Sequence, residues 1–173
     1  MHYCFGGFVS WSSIKMTNLN NLYSLAKKLG SKIVSAESCT AGLLAASLTK
    51  LPGSSAFFEQ GYITYSNHSK ISVLGVDNKT LEKHGAVSEE IAKQMAEGAL
   101  KRSKSTIAVS ITGIAGPGGS NSKPEGLVCF AVVTENGKIK TETKKYGPIG
   151  RDNIRSQAVE TAITLLYEEL SVN

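Results

Sequence analysis

The pattern of apolar and polar residues first predicts an amphipathic helix. Apolar residues recur at helical spacing over residues 19–29, and Gly30 follows as a stop signal. The apolar run at residues 32–34 predicts a short buried strand. Leucines return at helical spacing over residues 43–51 until Pro52-Gly53 ends the second helix. A strand therefore leads into a helix through a short turn.

Strands and helices continue to alternate beyond this point. Residues 57–65 predict a strand, and residues 66–74 predict a short helix. Ser88 is a typical N-cap for the helix that follows, because two glutamates occupy its first turn. Residues 106–112 predict another buried strand.

The last part of the chain predicts a hairpin and a long helix. Residues 127–134 and 138–145 are two strands joined by Asn136-Gly137, a strong signal for an antiparallel hairpin with a type I′ turn. The final helix covers residues 152–170. This order predicts an α/β fold, namely a three-layer α/β/α sandwich with a mixed, mostly parallel sheet that contains one antiparallel hairpin.

Length and the N-terminal sequence indicate one folded unit. A chain of 173 residues suits a single domain. Residues 1–15 lack the basic start and long apolar segment of a secretory signal, and Met16 offers an alternative start. We expect residues 1–15 to be a poorly ordered extension and residues 16–173 to be one domain.

Cysteine and charge usage indicate a cytoplasmic protein without a membrane or nucleic-acid partner. The three cysteines are scattered without metal-ligand spacing, which favours a reducing compartment over a disulfide scaffold. No apolar run approaches the length that spans a bilayer. The net charge of +5 is spread along the chain rather than gathered into a basic stripe, so it speaks against nucleic-acid binding and favours weak attraction of anionic substrates.

Ser38 is the first candidate for chemistry, because it lies where the strand turns into the second helix. There its side chain would project beside the free N–H groups of the first helical residues, a position that can stabilise a developing oxyanion. A second interpretation is that Ser38 or Thr40 merely caps the helix.

Four blocks of sequence, in their order, resemble a known family. The blocks are residues 35–42, 61–70, 109–119 and 150–155. Together they closely resemble the C-terminal domain of the CinA (competence/damage-inducible) family, over residues 19–170. The family's usual AESCTGG has Ala41 here in place of the first glycine, which predicts strain if that position needs a positive φ.

The resemblance implies an enzyme activity. Enzymes of the family are nicotinamide mononucleotide deamidases, so the expected reaction converts nicotinamide mononucleotide and water to nicotinic acid mononucleotide and ammonia. The resemblance places this reaction in pyridine nucleotide salvage and implies a homo-oligomer that binds a small nucleotide substrate. We expect neither a cofactor nor a metal, because no His/Cys/Asp/Glu cluster has ligand spacing.

Hydrolysis of a carboxamide needs a nucleophile, a base and oxyanion donors. Ser38 is the expected nucleophile. Among the histidines only His68 lies in a relevant block, where a solvated loop residue is an equal interpretation. Lys70 with Tyr65 is the better base system, since burial can lower a lysine pKa toward neutrality. Both match the family's catalytic lysine and tyrosine, and Tyr65 would relay the proton or orient the base.

Cys39 competes with Ser38 as the nucleophile, because a helix N-terminus lowers a thiol pKa. Adjacent side chains point in different directions, so only one of the two faces the site, and the family pattern favours Ser38. Cys39 then fills space as a small buried residue. We also expect Cys39 and Thr40 to be among the residues that bind the oxyanion or the substrate.

Two further segments are candidates for holding the substrate. The glycine-rich segment at residues 112–119 follows a strand and lacks the P-loop and dinucleotide patterns, so its N–H groups either wrap an anion or form plain turns. Its candidate residues are Thr112, Gly113, Gly116 and Gly118. Arg151 stands at a helix N-terminus, where a cation opposes the macrodipole unless it reaches a bound phosphate. Arg155 is the second candidate, or it pairs with Glu125 or another surface acid.

Other functions remain open at this point. One is a serine hydrolase of a different small amide or ester. The other is a non-catalytic nucleotide-binding domain, or an accessory domain of DNA uptake as the family's competence name suggests. The joint presence of Ser38, Tyr65 and Lys70 favours catalysis, because binding alone requires none of the three.

Overall fold

A computed structural model describes residues 16–120 and 123–172 of the chain. The predicted N-terminal extension, residues 1–15, lies outside these described residues.

Within the described residues, five strands form one sheet. They are β1 (Ile33–Glu37), β2 (Phe58–Ile63), β3 (Ile107–Gly113), β4 (Leu127–Thr134) and β5 (Ile139–Lys145), in the spatial order β2-β1-β3-β4-β5. β1 pairs in parallel with β2 and β3, whereas β4 pairs antiparallel with both β3 and β5. Four strands therefore share one direction and only β4 opposes them. The predicted mixed, mostly parallel sheet with one hairpin is confirmed.

Helices cover both faces of the sheet. They are α1 (Met16–Leu29), α2 (Leu43–Leu48), α3 (Asn67–Leu74), α4 (Asn78–His84), α5 (Glu89–Lys101) and α6 (Arg151–Ser171), with a 3₁₀ turn at Ser54–Ala56. α1, α2 and α6 share one apolar core with the sheet, while α3, α4 and α5 share the other. The three-layer α/β/α sandwich is thus confirmed.

Alternate residues of the central strand β3 face the two different cores. Ile107, Val109 and Ile111 point toward the α1 and α6 side, because alternate residues of a strand face opposite ways. On the other face β3 carries smaller side chains. There the Ser110 hydroxyl donates to the Ala92 carbonyl of α5 at 2.5 Å. Small residues on this face permit the close approach of α5.

Local side-chain caps mark the starts of α3, α4 and α5. Ser66 caps α3 by accepting the Ser69 N–H, and Ser88 caps α5 by accepting the Ile91 N–H as predicted. α4 has no counterpart among the predicted elements. It has seven residues, of which Leu81 is the buried one, so it carries no amphipathic repeat.

The turn of the hairpin corrects one prediction. A type I′ turn needs a positive φ at both central residues. Gly137 has a φ of 85°, but Asn136 is not in the left-handed region. The Gly137 N–H instead donates to the Thr134 carbonyl at 3.0 Å, so the turn centres on Glu135 and Asn136. The predicted hairpin is present, but its predicted turn type is wrong because the connection is one residue longer.

Candidate active site

A cavity of about 330 Å³ opens at the carboxyl ends of the parallel strands. Ligands bind at this edge in open α/β sheets, since the loops that leave neighbouring strands converge there. The turn after β1, the segment after β2, the glycine-rich loop after β3 and the start of α6 all line it. The predicted site residues among its lining are Ser38, Cys39, Tyr65, Lys70, Thr112, Gly113, Gly116, Gly118 and Arg151.

A larger cavity lies elsewhere. It has a volume of about 460 Å³ and lies between β5 and α6, with polar lining residues that include Glu142, Tyr146 and Glu160. Its lining contains none of the predicted catalytic or substrate-binding residues. We therefore take the cavity at Ser38 as the candidate active site.

Ser38 and Lys70 meet in this cavity although 32 positions separate them in the sequence. The Lys70 Nζ lies 2.9 Å from the Ser38 Oγ. Both residues are buried, with 8% exposure for Ser38 and 1% for Lys70. Lys70 reaches the site because α3, capped by Ser66, places it almost one turn into the helix. The pair has the spacing of a nucleophile and its base.

The surroundings of Lys70 favour its neutral form more than water does. Burial lowers its pKa from 10.5 to about 8, because the charged form loses its hydration. Its other two contacts are the Thr64 carbonyl at 2.9 Å and the Tyr65 carbonyl at 3.3 Å. Both carbonyls only accept hydrogen bonds. In neutral Lys70 they take its two N–H groups and leave the lone pair for the Ser38 hydroxyl.

Tyr65 and Arg151 are brought together at the rim of the cavity. The Arg151 Nη2 donates to the Tyr65 hydroxyl at 3.0 Å, and its Nη1 donates to the Gly116 carbonyl at 2.8 Å. The Tyr65 side chain is 57% exposed. Lys70 thus contacts the backbone of Tyr65, whereas the Tyr65 hydroxyl faces Arg151. A proton relay through this hydroxyl stays a prediction.

Cys39 is a poor nucleophile in this environment. Its side chain is buried, and burial raises the pKa of the thiol to about 12. Burial therefore outweighs the activating effect expected of a helix N-terminus. The interpretation of Cys39 as a small buried residue agrees with its surroundings.

Glu37 is a residue of the site that the sequence analysis missed. Its carboxylate is fully buried and accepts the N–H groups of Gly42, Leu44 and Ala45 at the start of α2. These are the N–H groups that we expected to lie free beside Ser38, so that expectation is wrong. Cys39 lines the cavity, so its N–H remains a candidate oxyanion donor, whereas Thr40 is fully buried and does not line it. The only sequence signal was a glutamate in an otherwise buried strand.

The glycine-rich loop already binds a carboxylate of the protein itself, that of Glu125. The Gly118 N–H donates to the Glu125 carboxylate at 2.6 Å, and the Ser120 N–H donates to the Lys123 carbonyl. Thr112 also uses its hydroxyl within the fold, on the Ala86 carbonyl at 2.7 Å. The loop shapes the cavity wall, but these three donors are already engaged.

Thr40 and Arg155 do not line the cavity. The Arg155 Nη2 donates to the Thr40 carbonyl at 3.0 Å, and its Nη1 lies 3.8 Å from the Asp152 carboxylate. Arg155 therefore pairs with a surface acid, as one of the two interpretations predicted, and the acid is Asp152 rather than Glu125. Its other contact supports the turn that carries Ser38.

Metal binding and membrane insertion are two further properties on which the described residues bear. Within residues 16–120 and 123–172, no group of three or more His, Cys, Asp or Glu side chains is arranged to hold a metal ion. None of the helices in the same part of the chain is both long and apolar enough to cross a membrane.

The fold and the cavity define an α/β protein with a buried serine–lysine pair at the carboxyl ends of three parallel strands. A family model, the CinA C-terminal domain, matches residues 16–170. The chain belongs to the CinA C-terminal domain family.

Several relatives extend this assignment. Nicotinamide-nucleotide amidohydrolase PncC of Escherichia coli K12 is 45% identical over 148 residues, which cover 85% of this chain and 89% of PncC. A CinA-like protein of Chloroherpeton thalassium is 52% identical over 130 residues, or 75% of this chain and 31% of that protein. The chain thus spans about a third of the length of such CinA-like relatives.

A solved structure resembles nearly the whole chain. The competence/damage-inducible protein CihA of Agrobacterium tumefaciens superimposes with a TM-score of 0.86 and 43% sequence identity. The match covers 98% of this chain and 99% of that one. The CinA superfamily protein of Escherichia coli has a TM-score of 0.84 at 30% identity, over 91% of this chain and 92% of its own.

Proposed function

We propose that the protein is an amidohydrolase that converts nicotinamide mononucleotide and water to nicotinic acid mononucleotide and ammonia. The observation that carries this proposal is the buried Lys70, 2.9 Å from the Ser38 hydroxyl and with a lowered pKa. The substrate follows from PncC, whose name states a nicotinamide-nucleotide amidohydrolase and which matches along most of its length.

The first half of the reaction forms an ester with Ser38. Neutral Lys70 accepts the hydroxyl proton as the Ser38 Oγ attacks the carboxamide carbon. The negative charge develops on the carboxamide oxygen, and the N–H group of Cys39 is the donor proposed to stabilise it. Lys70 then returns the proton to the nitrogen, the C–N bond breaks and ammonia leaves.

Water completes the cycle. Lys70 is neutral again after ammonia leaves, so it accepts a proton from the water that attacks the ester carbon. The bond to the Ser38 Oγ breaks, and the proton passes from Lys70 to this oxygen. The pyridine carboxylate is released, and both residues return to their initial states.

The cavity also suggests how the nucleotide lies. Ala86, Val87, Ile114 and Ala115 supply an apolar part of the lining, which suits the pyridine ring. Arg151 stands exposed at the rim with its guanidinium fixed by Gly116 and Tyr65, so we propose that it holds the phosphate. Tyr65 would then support the phosphate end through its hydroxyl and the base through its carbonyl.

We also propose that residues 16–173 act as one domain in a cytoplasmic homo-oligomer. The family resemblance supports the assembly, and the two described cysteines, Cys39 and Cys129, are free thiols. Light scattering on the purified protein tests the assembly, and a monomer at micromolar concentration contradicts it.

Product formation from nicotinamide mononucleotide by the purified protein tests the function directly. We expect turnover in the wild type and in Cys39→Ala, and none in Ser38→Ala, because only Ser38 contacts the base. A treatment with EDTA that leaves the rate unchanged supports the metal-free scheme. Full activity in Ser38→Ala, or a wild type that yields no nicotinic acid mononucleotide, contradicts the proposal.

A further inference from the structure

Glu37 holds a buried charge next to the nucleophile but does not line the cavity. Its Oε2 accepts the N–H groups of Gly42 and Leu44, each at 3.0 Å. Its Oε1 accepts the Ala45 N–H at 2.9 Å and the Ser35 hydroxyl at 3.3 Å. A fully buried carboxylate is unfavourable unless hydrogen bonds replace its hydration, and these four bonds do so.

The cap of α2 differs from the caps of the neighbouring helices. α3, α4 and α5 are each capped locally, by Ser66, Asp77 and Ser88, and each cap accepts the N–H of the residue three positions later. α2 begins after Gly42, which offers no side-chain cap. Its cap comes instead from the last residue of β1, on the other side of Ser38. The carboxylate therefore joins the two ends of the segment that contains the nucleophile.

The backbone of Glu37 is connected to Lys70 through Thr64. The Thr64 N–H donates to the Glu37 carbonyl at 2.9 Å, and the Thr64 carbonyl accepts from Lys70. The Ser38 N–H is fixed separately on the Ile111 carbonyl of β3 at 2.9 Å. With the side chain of Glu37 in place, hydrogen bonds hold the turn of residues 38–41 at both ends.

The turn itself needs this support. Ala41 has a φ of 48° and Gly42 a φ of 94°, both in the left-handed region. Alanine is disfavoured there, so the conformation persists only where surrounding contacts impose it. The bond from Gly42 to Glu37 acts directly after Ala41.

We propose that Glu37 is a positioning residue, which holds the Ser38 hydroxyl at the distance from Lys70 that attack requires. The identity of the reaction in this inference rests on the proposed function. Glu37 does not exchange protons with the substrate; it acts through the turn. Its three backbone bonds also occupy the α2 N-terminus, so the terminus itself binds no anion.

Glu37→Gln tests the inference with the smallest change of shape. An amide keeps one acceptor oxygen, and its NH₂ group then faces an N–H group that needs an acceptor. We expect kcat to fall by about 100-fold, as for a reacting group displaced by about 1 Å. KM should stay within about threefold, and the pH midpoint of kcat should not move, because the burial that lowers the pKa of Lys70 is unchanged.

Asp77→Asn is the matched control. It makes the same carboxylate-to-amide change at the cap of α4, away from the cavity. We expect its kcat to stay within about twofold of the wild type. An unchanged kcat in folded Glu37→Gln, or an equal loss in Asp77→Asn, overturns the positioning role.

Glu37→Asp provides a second variant in case the amide does not fold. It keeps the charge but withdraws the carboxylate by one methylene, so it cannot reach all three N–H groups. We again expect a lower kcat with little change in KM. A folded and fully active Glu37→Asp overturns the inference. If neither variant folds, Glu37 serves folding alone, and the inference is overturned as well.

Labelling with a fluorophosphonate separates this inference from the proposed function. The Ser38 oxygen bonds to phosphorus and fluoride leaves, so the rate reports the nucleophile without any nucleotide. If nicotinamide mononucleotide is not hydrolysed but wild-type Ser38 is labelled, the proposed substrate fails, and slow labelling of Glu37→Gln still supports the inference. A wild type in which Ser38 is neither labelled nor active overturns both.

Discussion

Raising the pH from 7 to 9 changes the protonation of Lys70 without substituting any residue. With a pKa of about 8, about a tenth of Lys70 is neutral at pH 7, about half at pH 8 and about nine tenths at pH 9. If neutral Lys70 is the base, kcat rises about tenfold over this range and levels off near pH 9.

A lysine exposed to solvent would give a different dependence of kcat on pH. With the ordinary pKa of 10.5, the neutral fraction would rise about 100-fold between pH 7 and pH 9 without levelling off. The plateau therefore distinguishes the buried base from a solvated one. The magnitude depends only on the lowered pKa, whose cause is the burial of the side chain.

The assay follows nicotinic acid mononucleotide by chromatography at saturating substrate, because ammonium itself titrates in this range. Circular dichroism at each pH shows that the enzyme stays folded. Lys70→Arg is the control variant. It keeps a hydrogen-bond donor but stays charged, so we expect no turnover at any pH.

Two results refute this account of Lys70. A flat profile between pH 7 and pH 9 means that no group with a pKa near 8 limits the reaction. An active Lys70→Arg enzyme means that the base is another group. His68 is the next histidine to test, although it is exposed on the first turn of α3 and does not line the cavity.

Three further predictions concern stability and substrate binding. The pKa of Lys70 is lower in the folded state than in the unfolded chain, so the wild type gains stability relative to Lys70→Met as the pH rises. We expect a gain of about 2 kcal/mol in the free energy of urea unfolding from pH 7 to pH 9.5. A difference between the two proteins that stays constant with pH contradicts the buried lysine. Ala41→Gly relieves a residue with a φ of 48° and should raise the free energy of unfolding by about 0.5–1 kcal/mol, or about 1–4 °C in Tm, whereas a lower Tm would show that no strain is present. Arg151→Ala should raise KM for nicotinamide mononucleotide roughly 10- to 100-fold and change KM for nicotinamide riboside much less; equal effects on both would show that Arg151 does not bind the phosphate.

Local features of the fold were predictable because neighbouring residues encode them. The predicted strand at residues 127–134 has the same bounds as β4, since its apolar run ends at a turn signal. The Ser88 cap was also predictable, because a cap bond spans only three positions. α4 escaped prediction because its seven residues repeat no apolar pattern.

The hairpin shows the limit of local rules. Asn136-Gly137 predicted the antiparallel pairing correctly, because both residues favour tight turns. The turn type depends on which residue takes the left-handed conformation, and there Gly137 alone does so. Ala41 is the opposite case: the family pattern indicated a glycine position, and the observed φ of 48° agrees with it.

The sequence by itself determined the order of the strands and of the helices other than α4, the serine at the strand-to-helix turn and the family to which the chain belongs. These depend on side-chain periods, caps and motifs within a few residues. Only the tertiary structure decided that Lys70 meets Ser38 across 32 positions, that burial lowers the lysine pKa while raising that of Cys39, and that Glu37 occupies the α2 N–H groups. Hydration depends on which distant segments cover a group, and that is settled only when the sheet assembles. The bonds of Glu37 are shorter in sequence, but they depend on the conformation of the turn between β1 and α2, which local patterns do not specify.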